Sequence, residues 1–176
     1  MVRCWKKNVD LDLKIGYTNG LARQVPDCVE RLEEIIHGTT LVINAIIERK
    51  VARTGLITTQ GFRDVLELGR EIRYAPYDVF AEVPEPLVPR HRRLEVNERL
   101  RADGTVVRPL DEAEARETVR ALKDMGVESI AVCLLNSFEN PAHELTLKRL
   151  IGEEFPTASV SISYEVLPQI REYERT

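Results

Sequence analysis

The run LDEAEARETVRALKDMGVESIAVCLLN, residues 110–136, settles the class of fold, because it joins a capped helix to a buried strand through Gly126. Asp111 is placed to cap the helix, acidic residues crowd its first turn where the helix dipole favours them, and the glycine ends it. VESIAVCLLN is almost continuously apolar, as in a strand covered on both faces of a parallel sheet. The pair then repeats. NPAHELTLKRLIGEEF (140–155) opens with Asn140 as cap and Pro141 at the first helical position, and ASVSISYEVL (158–167) reads as one more strand. Helix, strand, helix, strand predicts an α/β fold with helices on the faces of the sheet.

Upstream, RLEVNERL-RADG-TVVRPL (93–110) has the signature of a β-hairpin, two alternating runs around an Ala-Asp-Gly turn. Residues 73–93 carry prolines at 76, 84, 86 and 89, which exclude regular structure over most of that length and suit a functional loop or an interface. ARTGLITT (52–59) reads as a short central strand, and QGFRDVLELGRE (60–71) as a helix ended near Gly69. LVINAIIERK (41–50) is apolar nearly all round, so it is expected to be buried on most faces. DCVERLEEII (27–36) has helical spacing behind Pro26, with Asp27 as cap, although its end also suits a short buried strand. Residues 1–26 follow no regular pattern and are expected to be poorly ordered, which leaves 27–176 as the domain.

With 176 residues, 43% apolar and 31% charged, the chain has the bulk of one soluble domain. A net charge of −4 argues against a dedicated nucleic-acid or anionic-membrane surface. No apolar run nears the roughly 20 residues that span a bilayer, and no signal core follows the basic start, so the cytoplasm is expected. Cys4, Cys28 and Cys133 are odd in number and lack metal-ligand spacing; Cys133 reads as a small buried side chain.

No catalytic motif announces itself: there is no Walker loop, no G-x-S-x-G elbow and no H-E-x-x-H. His143 reads as a surface or packing residue, and His91, in PRHRR, as part of a solvated loop or an anion contact. IIHGTT (35–40) is richer. A strand-Gly-Thr-Thr-helix junction sets unpaired N–H groups and two hydroxyls beside His37, which suits an anion but, taken alone, reads first as a plain threonine cap. GLITTQGFRDV repeats the form at Thr58, Thr59 and Gly61, and two such turns suit one ligand edge at the carboxyl ends of the strands.

Taken in order, HGTTLVINAIIERK, ARTGLITTQGFRDVLELGR, PLVPRHRRLEVNERLRADGTVVRPLDE, GVESIAVCLLNSFENPAHE and EVLPQIREYERT resemble the hydantoinase A/5-oxoprolinase family, from about residue 35 to the last. The resemblance implies a ribonuclease H-like (actin-like, sugar-kinase-like) N-terminal domain with the hairpin as an insertion. It implies ATP-dependent hydrolysis of a cyclic amide such as hydantoin or 5-oxoproline, with ATP and a magnesium or other divalent ion activating the carbonyl. A B-type subunit or domain is the implied partner, and self-association through unpaired sheet edges is expected as well. Acetone and acetophenone carboxylase subunits are relatives, so a carboxylase subunit is the first alternative; a non-catalytic module docking through 73–93 is the second. On the family motif fall His37, Gly38, Thr39, Thr40 and Asn44 as substrate- or phosphate-side candidates, with Thr58, Thr59 and Arg63 behind them. Ile43 replaces a usual threonine, and the family's Asp-x-Gly-Gly-Thr-x-Thr-Asp opening has no match in residues 1–34. The family chain also runs well past Thr176. The expectation is therefore a domain truncated at both ends, inactive alone, with neither ATP nor metal necessarily bound by it.

Overall fold

The computed structural model describes residues 41–70 and 85–176. The chain falls into two compact units, residues 1–48 and 49–176. In the first unit the described element is helix α1, Leu41–Ile47. The expectation that this segment is buried on most faces fails. Val42, Ile43, Ile46 and Ile47 are exposed, since a helix that is apolar all round offers more greasy surface than its surroundings cover. The segment 1–26, the helix from Asp27 and the His37–Thr40 turn lie outside the described residues, as does most of 73–93.

The second unit is built on a four-stranded sheet in the order β2-β1-β5-β6, parallel throughout: β1 (Thr54–Thr59), β2 (Arg93–Val96), β5 (Ser129–Cys133) and β6 (Ser159–Ile162). A separate two-stranded antiparallel ribbon pairs β3 (Arg99–Leu100) with β4 (Val106–Arg108). The α/β class and the central place of β1 are as expected. Parallel register sets Leu94, Ile57, Val132 and Ile162 side by side on one face. Against that face pack α3 (Glu112–Asp124) and α4 (Ala142–Glu154), through Ala115, Val119, Leu122, Leu147, Leu150 and Ile151, all fully buried. Gly55 lets α3 come close, because a Cβ there would lie 2.8 Å from Leu122 Cδ2.

Helix α3 starts at its expected cap, whereas α4 starts one residue later than expected, with Pro141 at the cap position and Asn140 just before it. Asp111 Oδ1 accepts from the N–H groups of Ala113 and Glu114 at 2.9 and 3.2 Å, and Asn140 Oδ1 accepts from Ala142 N–H at 3.1 Å. Gly126, with φ of 68°, turns the chain from α3 toward β5. Outside the core, Arg120 and Arg116 of α3 hold Glu154 of α4 at 2.9 and 2.7 Å, and these hydrogen bonds pull its carboxyl down to about 2. A depressed carboxylate contributes stability above its unfolded value and loses it as pH falls through the folded one. The denaturation midpoint is therefore expected to drop between about pH 5 and pH 2, and less steeply in Glu154→Gln. Urea titrations across that range check this; identical slopes would remove Glu154 from the acid response.

Three expectations are corrected. The helix expected over 60–71 shrinks to α2, Val65–Leu68. The turn before it is held open by Glu95, whose Oε1 accepts from the N–H groups of Gly61 and Arg63 at 2.8 and 3.3 Å. The hairpin's first arm is split: Arg93–Val96 joins the main sheet beside β1, and only Arg99–Leu100 pairs with β4. The break falls at Asn97 and Glu98, where the Glu98 side chain turns inward. The last strand stops at Ile162 and continues as α5 (Ser163–Val166), because Ser163 and Tyr164 are drawn onto Glu144 instead of extending a ladder.

Candidate functional site at the carboxyl edge of the parallel sheet

All four strands point their carboxyl ends the same way, and the chemistry-bearing residues of this unit gather at that edge. Strand β1 ends in Thr58 and Thr59, both buried, and alternation sends them to opposite faces. Beyond them the chain turns through Gly61, whose φ of 90° suits glycine, with Phe62 N–H bonded to Thr59 C=O at 3.0 Å. Gly61, Phe62, Asp64, Val65 and Leu68 line a shallow, open cleft of about 430 Å³ next to this turn. Arg63 does not point its charge at a ligand: its guanidinium donates to Arg90 C=O at 2.9 and 3.3 Å. Asp64 in turn takes the Arg90 guanidinium at 2.7 and 3.0 Å, which holds its carboxyl below the usual range.

On the helix-packed face, Thr59 is one end of a buried chain of polar groups. Its hydroxyl donates to Glu98 Oε1 and accepts from Leu135 N–H, the latter at 2.9 Å. Glu98 Oε2 lies 2.6 Å from His143 Nδ1 in the first turn of α4. Packing, not surface, is thus the place of His143. Every partner here is satisfied from within the protein, so the trio clamps the ribbon, β1 and α4 together and leaves no activated nucleophile. A second carboxylate, Glu144, is fully buried and accepts from Leu134 N–H at 3.0 Å, Ser163 Oγ at 2.6 Å and Tyr164 N–H at 2.9 Å. Three donors on one carboxylate fix the loops after β5 and β6 to the start of α4.

The opposite face is different. Parallel register puts Thr58 beside Cys133, and Cys133 Sγ receives the Thr176 hydroxyl at 3.1 Å. Burial pushes the Cys133 thiol up, as befits a small packing residue. Arg175, at the end of α6 (Glu172–Arg175), donates from Nη2 to Leu134 C=O at 2.7 Å and stacks 5.5 Å from the Phe138 ring. Among the described residues its Nε and Nη1 have no acceptor, and the Thr58 hydroxyl has no partner.

Of the residues expected to form a site, Thr58 and Thr59 stand at this edge; Arg63 is near but engaged; Asn44 is exposed on α1, in the other unit; His37, Gly38, Thr39 and Thr40 lie outside the described residues. His91 is exposed. Sequence reasoning missed Glu98, Glu144 and Arg175, and only the last had a signal, as part of the EYERT segment. Among the described residues, no three His, Cys, Asp or Glu side chains converge as a metal site would require.

Residues 14–155 match the hydantoinase/oxoprolinase N-terminal region. The chain belongs to the hydantoinase/oxoprolinase family. The match begins upstream of residue 35, where the resemblance in the sequence starts. Within the family, the chain is 36% identical to the acetophenone carboxylase gamma subunit of Aromatoleum aromaticum, covering 94% of this chain and 25% of that protein. It is 34% identical to caprolactamase subunit alpha of Pseudomonas jessenii, again over 94% of this chain and 25% of the relative. The crystal structure of the ATP-dependent caprolactamase from the same organism superposes with a TM-score of 0.77 at 30% identity, over 96% of this chain and 25% of that one. The chain thus spans about a quarter of the length of these relatives. Among the described residues, no helix is long and apolar enough to cross a membrane.

Proposed function

We propose that this chain forms part of the alpha-type subunit of an ATP-dependent cyclic-amide hydrolase, with the carboxyl edge of its parallel sheet facing the substrate and phosphate side. What carries the reading is the likeness to the ATP-dependent caprolactamase over nearly the whole chain. It is supported by two threonines at the end of the central strand, beside an open cleft. Thr58 and Thr59 are the candidates at this edge, Asn44 and Arg63 are the other described candidates, and His37, Gly38, Thr39 and Thr40 are the motif positions outside the described residues. In the complete enzyme ATP would supply the phosphoryl group that activates the ring carbonyl. The donor set of the described residues does not fit a divalent ion, and no step is assigned to one. The finer fold reading, a ribonuclease H-like (actin-like, sugar-kinase-like) N-terminal domain with a β-hairpin insertion, belongs to the same proposal. So do residues 27–176 as the domain, a B-type partner subunit, self-association and a cytoplasmic location. Alone, the chain is expected to be inactive.

A carboxylase subunit is the second reading, favoured by the 36% identity to the acetophenone carboxylase subunit. Grafting this chain in place of the matched quarter of the caprolactamase alpha subunit separates the two. ATP-dependent ring opening of caprolactam or 5-oxoproline by the chimera is the expected result. ATP-dependent carboxylation of a ketone would move the assignment to the carboxylases. A folded chimera that does neither would end both. The free chain is expected to release no phosphate from ATP with any of these substrates, and turnover by it would overturn that expectation.

A further inference from the structure

We propose that Arg175 and Thr58 form an oxyanion-binding site between the carboxyl ends of β1 and β5, for a phosphoryl or carboxylate oxygen. The argument starts from what is left unmade. An arginine carries five N–H donors and cannot shed its charge. The Arg175 side chain has 0% exposure, yet of its nitrogens only Nη2 has an acceptor, Leu134 C=O at 2.7 Å. The nearest carboxylate, Glu172 Oε1, stands 3.6 Å from that same Nη2, too far for a hydrogen bond. Nε and Nη1 meet no acceptor among the described residues. Buried donors left this way are strongly disfavoured, all the more on a charged group, and native structures rarely keep them without a function.

A second orphan lies close by. The Thr58 hydroxyl, on a residue 1% exposed, is also without a partner. Its neighbour across the sheet is Cys133, which touches Thr176, the residue after Arg175. Two orphan donors are therefore linked through the surroundings of Cys133 and Leu134, at the edge where parallel sheets take their ligands. The identity of the groups sets the ligand class. A guanidinium and a hydroxyl complete themselves with an oxygen acceptor that carries negative charge. The Phe138 ring, with its centroid 5.5 Å from the guanidinium carbon, holds the group from one face without using any N–H. By contrast, the other buried ionisable groups at this edge, Glu98, Glu144 and His143, have their partners within the protein.

Helix α6, which carries Arg175, is tied to the end of α2. Its Glu174 pairs with Arg70, and its Tyr173 ring lies 3.6 Å from where a Cβ on Gly69 would stand, so these contacts close the helix over the end of α2.

The site rests on the reading of this edge as the substrate side, but its test uses no turnover, so the two fail separately. Inorganic phosphate and acetate are titrated into the 176-residue chain at constant ionic strength, with sodium chloride as control, while the Arg175 Nε–H signal is followed by NMR. Arg175→Lys assigns that signal by its disappearance. A saturable shift absent with chloride is expected, weakened about tenfold in Thr58→Val, which keeps the side-chain shape and loses one donor. Saturation by phosphate alone assigns a phosphoryl group to the site, and saturation by acetate alone a carboxylate. No saturation with either, or the same shift with chloride, overturns the proposal. Should Arg175→Lys fail to fold, Thr58→Val decides: unchanged affinity in that variant removes Thr58 from the site.

Discussion

Replacing Glu144 by alanine is expected to destabilise the chain by about 3 kcal/mol, among the largest effects of any single substitution outside the apolar core. The carboxylate has no exposure and receives Leu134 N–H, Ser163 Oγ and Tyr164 N–H. Alanine leaves two donors buried and a third part-buried, and each buried donor without a partner costs about 1–3 kcal/mol. The loss is smaller than the sum, since the desolvation of the carboxylate is recovered at the same time. Glu144→Gln separates acceptor from charge. Its amide oxygen can still accept, but its NH₂ must face a donor, so an intermediate loss is expected. Urea denaturation of the three proteins measures this. A shift below about 1 kcal/mol for alanine would mean that water enters and replaces the carboxylate, and that the loops after β5 and β6 are held by packing alone.

The same junction explains where the sequence could be read and where it could not. Asp111, Asn140 and Gly126 act on neighbours a few residues away, so α3, α4 and the turn into β5 were legible from local chemistry. Strand β1 was legible too, as its apolar run is paired on both sides. What decided the rest acts over long separations. Glu98 shares the side of Leu94, Val96 and Leu100 in the alternating run RLEVNERL, but nothing local shows what would receive a carboxylate there. It is buried because Thr59 and His143, 39 and 45 residues away, converge on it. Glu144 ends β6 early from 19 residues upstream. Nothing in SISYEVL foretells that. For the candidate site, the Thr-Thr pair at a strand end was visible, but that one threonine would be satisfied and the other left open depends on which face each takes. The orphaned guanidinium of Arg175 depends on the fold as a whole.

Removing the Glu98 carboxylate is expected to cost about 3–5 kcal/mol, because it leaves a buried imidazole and a buried hydroxyl without their partner. Glu98 is 1% exposed and His143 8%, so water offers little compensation. A structural clamp and a mere contact predict different double-mutant cycles. If the Glu98–His143 contact at 2.6 Å is one unit, Glu98→Ala and His143→Ala overlap, and the double variant is more stable than their sum by about 1–3 kcal/mol. Thr59→Val should couple to Glu98→Ala in the same way, since the Thr59 hydroxyl donates to the other oxygen of the same carboxylate. Additive losses in both cycles would show that Glu98 acts through volume, not through its hydrogen bonds. The coupling also bears on the edge of the sheet. Thr59 reaches Leu135 N–H from one side and Glu98 from the other, so the clamp sets how the end of β1 stands against the end of β5. Thr58 is the preceding residue on that strand, and its hydroxyl faces the opposite side. Loosening Glu98 should therefore weaken oxyanion binding at Thr58 and Arg175 in proportion to the lost coupling, without touching either residue.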